Sequence, residues 1–535
     1  MAPEQPKRRI ARAGGILVAL SAVLGTTFAA QAHGVGHRAA ATPTYGGTYT
    51  YRLTDPPDCL DPQKTSSASS DTVDGMFLDE LLSVDKKGRY VGDLATSYKV
   101  SNHGKTITFF LRKGVRFSNG DPFTASDVKF TFDRAVNPAT KSPVSGSLLA
   151  GLKSTTVVNK YEVRLNMSAP YRPLLLNIAG PYLGILDKKS ILAQGNNTCT
   201  KPIGTGPYKI QSTGTAFSDI KMVANKYHNF APSWIHNKGQ PYITKMQWKT
   251  VNSDSTAVSE LLTGGIDMMG IPGTQLSRVK GNKNIVLRKF PYQSANYVEI
   301  NAAHPPFNNK QVRKAFAEII NRSAIVKAAL GGQGKALYGP LPSGIPDYYK
   351  GVSKFMPKFN ISDAAKIIQT YHATGPYTLM TFNEPPAPTM AEIIQQAAAQ
   401  AGMKLTIDLK ASYADFVPAG AAGNFDILLS GYGYNDPDAL YLLLDSSQAG
   451  ANGLNWSNLK DPTLDTLLEK GRKTLNQKKA AAIYAQAQVR INKDLDFIGT
   501  DEPASLFAIR SDIKGWNYSA NGGLAYQDLY IKSKP

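Results

Sequence analysis

Cysteine is almost missing from this chain: Cys59 and Cys199 are the only two in 535 residues. That excludes a small scaffold stapled by many disulfides, and without Cys-x-x-Cys or His-Glu-x-x-His a zinc site has no local signature. Gly-x-Ser-x-Gly is missing, and so is the full phosphate-loop pattern Gly-x-x-x-x-Gly-Lys-Ser or Gly-x-x-x-x-Gly-Lys-Thr. None of the 7 histidines lies in a recognisable triad setting. After the first 32 residues no apolar run is long enough to span a bilayer. Runs of one charge sign are also scarce, none longer than Lys7-Arg8-Arg9. Together these gaps argue against an enzyme, a cofactor protein and a nucleic-acid binder.

What is present begins with a leader. Lys7, Arg8, Arg9 and Arg12 precede an uncharged apolar run from Gly14 to Ala30, and Ala30-Gln31-Ala32 has the small residues a signal peptidase reads. The run falls short of the roughly 20 residues a spanning helix needs, so residues 1–32 are expected to be a signal peptide cut after Ala32. The protein is then exported, to the periplasm or the outer face of the membrane or wall. The leader's four cations and one carboxylate take +3 from the chain's +20, leaving +17. Scattered basic residues on an exported protein suit a solvated surface, with anionic wall or lipid as the nearest partner and no nucleic acid. Export also suits one disulfide between Cys59 and Cys199, the alternative being two buried thiols. Residues 33–45 form a flexible lead-in, in which His33 and His37 carry no metal assignment.

The ordered chain alternates element types. Gly47–Leu53, Lys105–Arg112 and Tyr161–Met167 have strand patterning, and Thr124-x-x-Asp127 is a capping box opening a helix to about Val136. From 377 to 430 the pattern is strand, helix, strand, helix, strand, hence parallel strands with right-handed crossovers. Helices follow at about 463–475 and 477–493, then strands near 496–500 and 504–510. Tyr292 to Tyr297, before the strand Val298 to Asn301, and Gly431 to Asn435, after the strand Asp426 to Ser430, look like aromatic, amide-rich loops. Ligands of open α/β sheets sit beyond the carboxyl ends of strands. Tyr432, Tyr434, Asn435, Asp436, Tyr292, Asn296 and Trp456 are therefore the candidate ligand-binding residues. Asp436-Pro437-Asp438 is either a rigid turn or a pair of working carboxylates.

The order of longer motifs carries a resemblance. Leu60-Asp61-Pro62, Gly92-Asp93-Leu94-Ala95, the stretch Phe109 to Val128, Pro202-Ile203-Gly204-Thr205-Gly206-Pro207-Tyr208, Gly264-Gly265-Ile266-Asp267 and Pro306 to Phe316 follow one another at compatible spacing. In this the chain resembles, over nearly its whole mature length, extracellular solute-binding protein family 5, which includes the dipeptide-, oligopeptide- and nickel-binding components of ABC importers. The resemblance implies an α/β, two-lobed periplasmic-binding-protein-like fold of type II with an extra domain on the first lobe. Residues 46–65, 200–290 and 506–535 would form the first lobe, 66–199 the extra domain and 291–505 the second lobe. It implies a monomer without cofactor or metal, closing on a small solute and presenting it to a membrane permease driven by an ATPase. Cys59 and Cys199 would both lie in the first lobe, near the return from the extra domain, and pair there.

A secreted hydrolase remains the alternative function, and a metal cargo a third, although the candidate loops carry Tyr and Asn rather than His. In the family's peptide binders an acidic residue three positions before the Asp-Pro-Asp turn holds the peptide's α-ammonium. Counting back from Asp436 puts Gly433 there, so a free peptide N-terminus would lack its usual partner, unless a shift of the loop gives Asp436 or Asp438 that role. The solute class that results is a modified peptide, a sugar or another polar organic molecule.

Overall fold

The computed structural model describes residues 43–290, 293–411, 413–450 and 453–532. Residues 1–32, expected from the sequence to be a signal peptide, most of the lead-in with His33 and His37, and Tyr292 lie outside the described residues.

Three sheets organise the chain. The first has seven strands, in the order 285–289, 506–510, 268–270, 48–53, 245–250, 219–224, 208–212. Thr48–Leu53 runs parallel to both Lys245–Thr250 and Met268–Gly270, and the other neighbours are antiparallel. Tyr49, Trp248 and Tyr208 are fully buried in its core. The second sheet has six strands, in the order 334–336, 497–503, 293–300, 427–434, 377–382, 405–410. Tyr377–Phe382 is parallel to both Leu405–Lys410 and Ile427–Tyr434, as the alternating pattern predicts. On one face Val298, Ile300, Leu379 and Leu429 pack with the helices Lys310–Ile319 and Ala387–Gln400. On the other, Tyr297, Tyr434 and Phe497 pack with Pro462–Lys473 and Gln477–Asp494. The period of two along each strand divides these two cores.

A four-stranded antiparallel sheet, Ala95–Ser101, Thr106–Leu111, Glu162–Met167 and Leu152–Asn159, forms the third body with the helix Ala125–Val136. That helix starts with the predicted capping box: the Thr124 amide donates to Asp127 Oδ2 at 2.9 Å.

Two motifs show why their residue types are needed. A Cβ on Gly204 would lie 2.1 Å from the Phe77 carbonyl oxygen, and one on Gly206 2.6 Å from the Phe77 carbonyl carbon, so only glycine lets this loop press against the helix Ala68–Phe77. Cys59 and Cys199, separated by 140 positions, form a disulfide. The Leu60 amide donates to the Cys199 carbonyl at 2.9 Å beside it.

Two expectations need correction. Residues 431–434 are not a loop: the strand Ile427–Tyr434 continues through both glycines. Likewise Gln293–Ile300 is strand from its first residue. The two zip together antiparallel from Gln293↔Tyr434 to Ile300↔Ile427, and sixteen residues of mutual pairing outweigh the weak strand preference of Gly431 and Gly433.

Candidate functional site

The chain passes between the two large sheets twice, between Lys289 and Gln293 and again between Pro503 and Leu506. Strand 427–434 ends at the same edge, because Tyr434 pairs with Gln293. On the seven-stranded side a recess of about 240 Å³ is lined by Tyr51, Arg52, Thr54, Ser69, Thr72 and Phe507. It is built from the end of Thr48–Leu53 and the first turn of Ala68–Phe77. Its one cation is not free for a ligand: Arg52 pairs with Asp254 at 2.8 Å and donates to the Val251 carbonyl at 2.8 Å.

On the six-stranded side, side chains of alternate residues decide what faces where. Tyr432 is half-buried, and its hydroxyl donates to Glu299 Oε1 at 2.6 Å, the atom that also accepts from the Ser430 hydroxyl at 2.6 Å. Glu299 is fully buried, and its Oε2 has no hydrogen-bond partner. Burial pushes its carboxyl up to about 7, against the pull of the two hydroxyls. The hydrogen bond to Glu299 fixes the Tyr432 ring, which lies 6.3 Å from Phe497 in a stacked arrangement. Asn296 donates to Asp501 Oδ2 at 2.8 Å, and burial lifts Asp501 to about 6. A Cβ on Gly431 would lie 2.6 Å from Asn296 Oδ1, so the glycine makes room for that amide.

Past the strand end, Asn435 is exposed and Asp436 half-buried. The Asp438 amide donates to Asp436 Oδ1 at 2.9 Å, so Asp-Pro-Asp is a turn leading into the helix Ala439–Leu444. Both carboxylates also have cations. Arg472 Nη2 donates to Asp438 Oδ2 at 3.1 Å, and the Tyr171 hydroxyl donates to the same oxygen at 3.3 Å. Arg172 Nη1 lies 3.6 Å from Asp436 Oδ2. Burial raises both carboxyls, Asp438 to about 6, while the neighbouring arginine pulls each back.

The sequence candidates thus separate. Tyr432, Asn435, Asp436 and Asn296 gather at or near the end of the paired strands. Tyr434 and Trp456, 1% and 3% exposed, are packed inside the body, Tyr434 beside Tyr297 and Trp456 beside Phe416. Sequence reasoning missed Glu299, Arg172 and Arg472. A glutamate within Tyr-Val-Glu-Ile was the available signal for the first; the arginines gave none, since their partners are remote in the chain. Among the described residues no group of three or more His, Cys, Asp or Glu is arranged to hold a metal ion, and no helix is long and apolar enough to cross a membrane.

Comparison with known proteins gives three concordant findings. The family described as bacterial extracellular solute-binding proteins, family 5 middle, matches residues 89–453. The glutathione-binding protein GsiB of Pectobacterium atrosepticum is 26% identical over 451 residues, 82% of this chain and 85% of that one. Its namesake in Salmonella choleraesuis is 25% identical over 485 residues, covering 88% and 92%. Among solved structures, the Helicobacter pylori periplasmic binding protein DppA in complex with the peptide STSA matches with a TM-score of 0.80 and 25% identity, covering 92% of this chain and 99% of that one. The oligopeptide-binding protein AppA of Bacillus subtilis, with a nonapeptide, has a TM-score of 0.82 at 22% identity, covering 92% and 100%, and speaks for the fold.

Proposed function

Because the chain belongs to the bacterial extracellular solute-binding proteins of family 5, we propose that it captures a polar organic solute, most simply a modified small peptide, between its two large sheets and hands it to an ABC permease. The protein is a solute-binding component of an importer, and the hydrolase alternative falls with that assignment. Residues 46–65, 200–290 and 506–535 act as one lobe with 66–199 attached, and 291–505 as the other. The chain works after export, released from residues 1–32, and as a monomer.

One observation carries the choice of solute. Gly433 offers no charge, and the two carboxylates that a loop shift would have recruited, Asp436 and Asp438, already face Arg172 and Arg472. A ligand ammonium would have to displace a guanidinium from a buried carboxylate, which costs several kcal/mol. Neutral groups remain: Asn435 on one side, with Tyr432 and Asn296, whose hydroxyl and amide are already held by Glu299 and Asp501, and Tyr51, Thr54, Ser69 and Thr72 on the other. They suit hydrogen bonding and ring contact rather than ion pairing. The relatives named for glutathione, whose γ-linked glutamyl residue keeps its own α-ammonium and α-carboxylate, support a peptide-derived solute and do not bear on the loss of the ammonium site.

The test is mass spectrometry of whatever co-purifies with the exported protein, followed by its titration back into stripped protein. A polar organic molecule without an accessible α-ammonium is expected. Recovery of ordinary linear peptides alone would overturn the solute class and leave the family untouched.

A further inference from the structure

The four-stranded body meets the six-stranded one at Gly104, where a Cβ would lie 2.6 Å from Leu475 Cδ1, and through the loop just after the strand Glu162–Met167, which carries the polar contacts described next. Tyr171 and Arg172 both reach across. The Arg172 amide donates to the Arg472 carbonyl at 2.8 Å, which fixes the backbone of the crossing loop. Its guanidinium, 11% exposed, enters a site built wholly by the other body. Nη2 donates to Asp347 Oδ2 at 2.7 Å and to Gln477 Oε1 at 3.2 Å, while Gln477 holds the other Asp347 oxygen at 2.6 Å. The Tyr484 ring lies 5.7 Å from the guanidinium carbon. Asp436 is the second acid of the site, 3.6 Å from Nη1.

The charges in this site do not balance within the six-stranded body. Asp347, Asp436 and Asp438 supply three carboxylates there, and among the described residues Arg472, bound to Asp438, is the one guanidinium of that body bonded to any of the three. Without Arg172, Asp347 and Asp436 would face one another uncompensated, and a buried carboxylate in that state recruits a cation or takes up a proton. Arg172 is therefore a cation delivered by one body to an acidic site on the other. Its fit is incomplete at one point: Nη1 is buried without a hydrogen-bond partner, close to Asp436 but not bonded to it.

We propose that Arg172 is a specificity-determining residue: when the bodies meet, its guanidinium fills the Asp347–Asp436 site as the chain's own cation and denies that site to a cationic group of a ligand. This rests on the reading above that solute is held between the two large sheets, the four-stranded body being attached to the seven-stranded one. It follows that Arg172→Ala leaves a flat, acid-walled hole of guanidinium shape.

The experiment is calorimetric titration of ethylguanidinium chloride into the full chain. The wild type, Arg172→Ala and Arg172→Ala/Asp347→Asn are compared. Arg172→Ala is expected to bind at about millimolar concentration, roughly tenfold more tightly than wild type, and the double variant to lose that gain. Arg172→Gln, which keeps a side-chain amide opposite Asp347, serves as the second variant should the alanine form fail to fold, with the same gain expected. Equal uptake by wild type and the Arg172 variants, or a gain that survives Asp347→Asn, would overturn the proposal. No solute enters this titration, so its failure and that of the solute reading are distinguishable.

Discussion

Two of the molecule's carboxylate–guanidinium networks serve opposite ends. Next to the disulfide, Asp61 is fully buried and both its oxygens are bonded: Arg134 donates at 3.0 and 2.6 Å, the Gln63 amide at 3.1 Å, and the Thr198 hydroxyl closes the set. Where the bodies meet, Arg172 spans Asp347 and Asp436 with one donor left over, and Asp438 Oδ1 and Arg472 Nε are buried without partners. The first arrangement is saturated and belongs to the scaffold. The second is under-bonded and joins two parts of the chain. A buried pair stabilises only when its remaining donors and acceptors are satisfied, so the first suits permanence and the second suits a contact made and released.

Breaking the saturated pair should cost most. Asp61→Ala removes the carboxylate that binds the half-buried Arg134, the Gln63 amide and the Thr198 hydroxyl together, and is expected to lose ~3–5 kcal/mol in urea unfolding; a loss below about 1 kcal/mol would erase the distinction between the two networks. The disulfide beside it comes next. Cys59→Ser/Cys199→Ser opens a loop of 140 residues, and a fall of ~2–5 kcal/mol is expected, read as lower thermal stability. Unfolded, unreduced wild type should show no free thiol on labelling.

The third effect depends on pH. Burial raises Glu299 from 4.5 to about 7, so between those values the folded chain holds a proton that the unfolded chain releases. Stability from this group is greatest below about pH 4.5 and falls as pH rises toward 7, by up to ~3 kcal/mol at about 1.4 kcal/mol per unit. Glu299→Gln removes that fall, so the stability difference between wild type and variant should change by that amount across the window. A constant difference would contradict the buried, proton-holding carboxyl.

The smallest effect belongs to the contact between bodies. Arg172→Ala should cost less than half of what Asp61→Ala costs, because separation of the bodies lets water reach Asp347 and Asp436. An equal loss in both variants would make the second network as structural as the first.

Much of the scaffold was legible because its signals are local. The capping box at Thr124–Asp127, the glycines at 204 and 206, and the parallel strands after Tyr377 each follow from neighbours in sequence. The site was legible only in part. Gly431 to Tyr434 reads as loop by composition, yet pairing with Gln293–Asn296, more than a hundred residues away, makes it strand. That extension turns Tyr434 into the core and leaves Tyr432 half-buried on the same face, a distinction that register sets and composition does not. Arg172 was illegible because its partners lie 175 residues or more downstream.

The central claim is that this cleft holds a polar solute without a carboxylate reserved for its ammonium. The most direct measurement is calorimetric titration of stripped protein with glutathione, with the peptide Ser-Thr-Ser-Ala, and with the same peptide acetylated at its amino terminus. The account predicts that acetylation does not weaken binding of the peptide, so that the acetylated form binds at least as well as the free one. Micromolar binding of the free peptide that acetylation abolishes would contradict it.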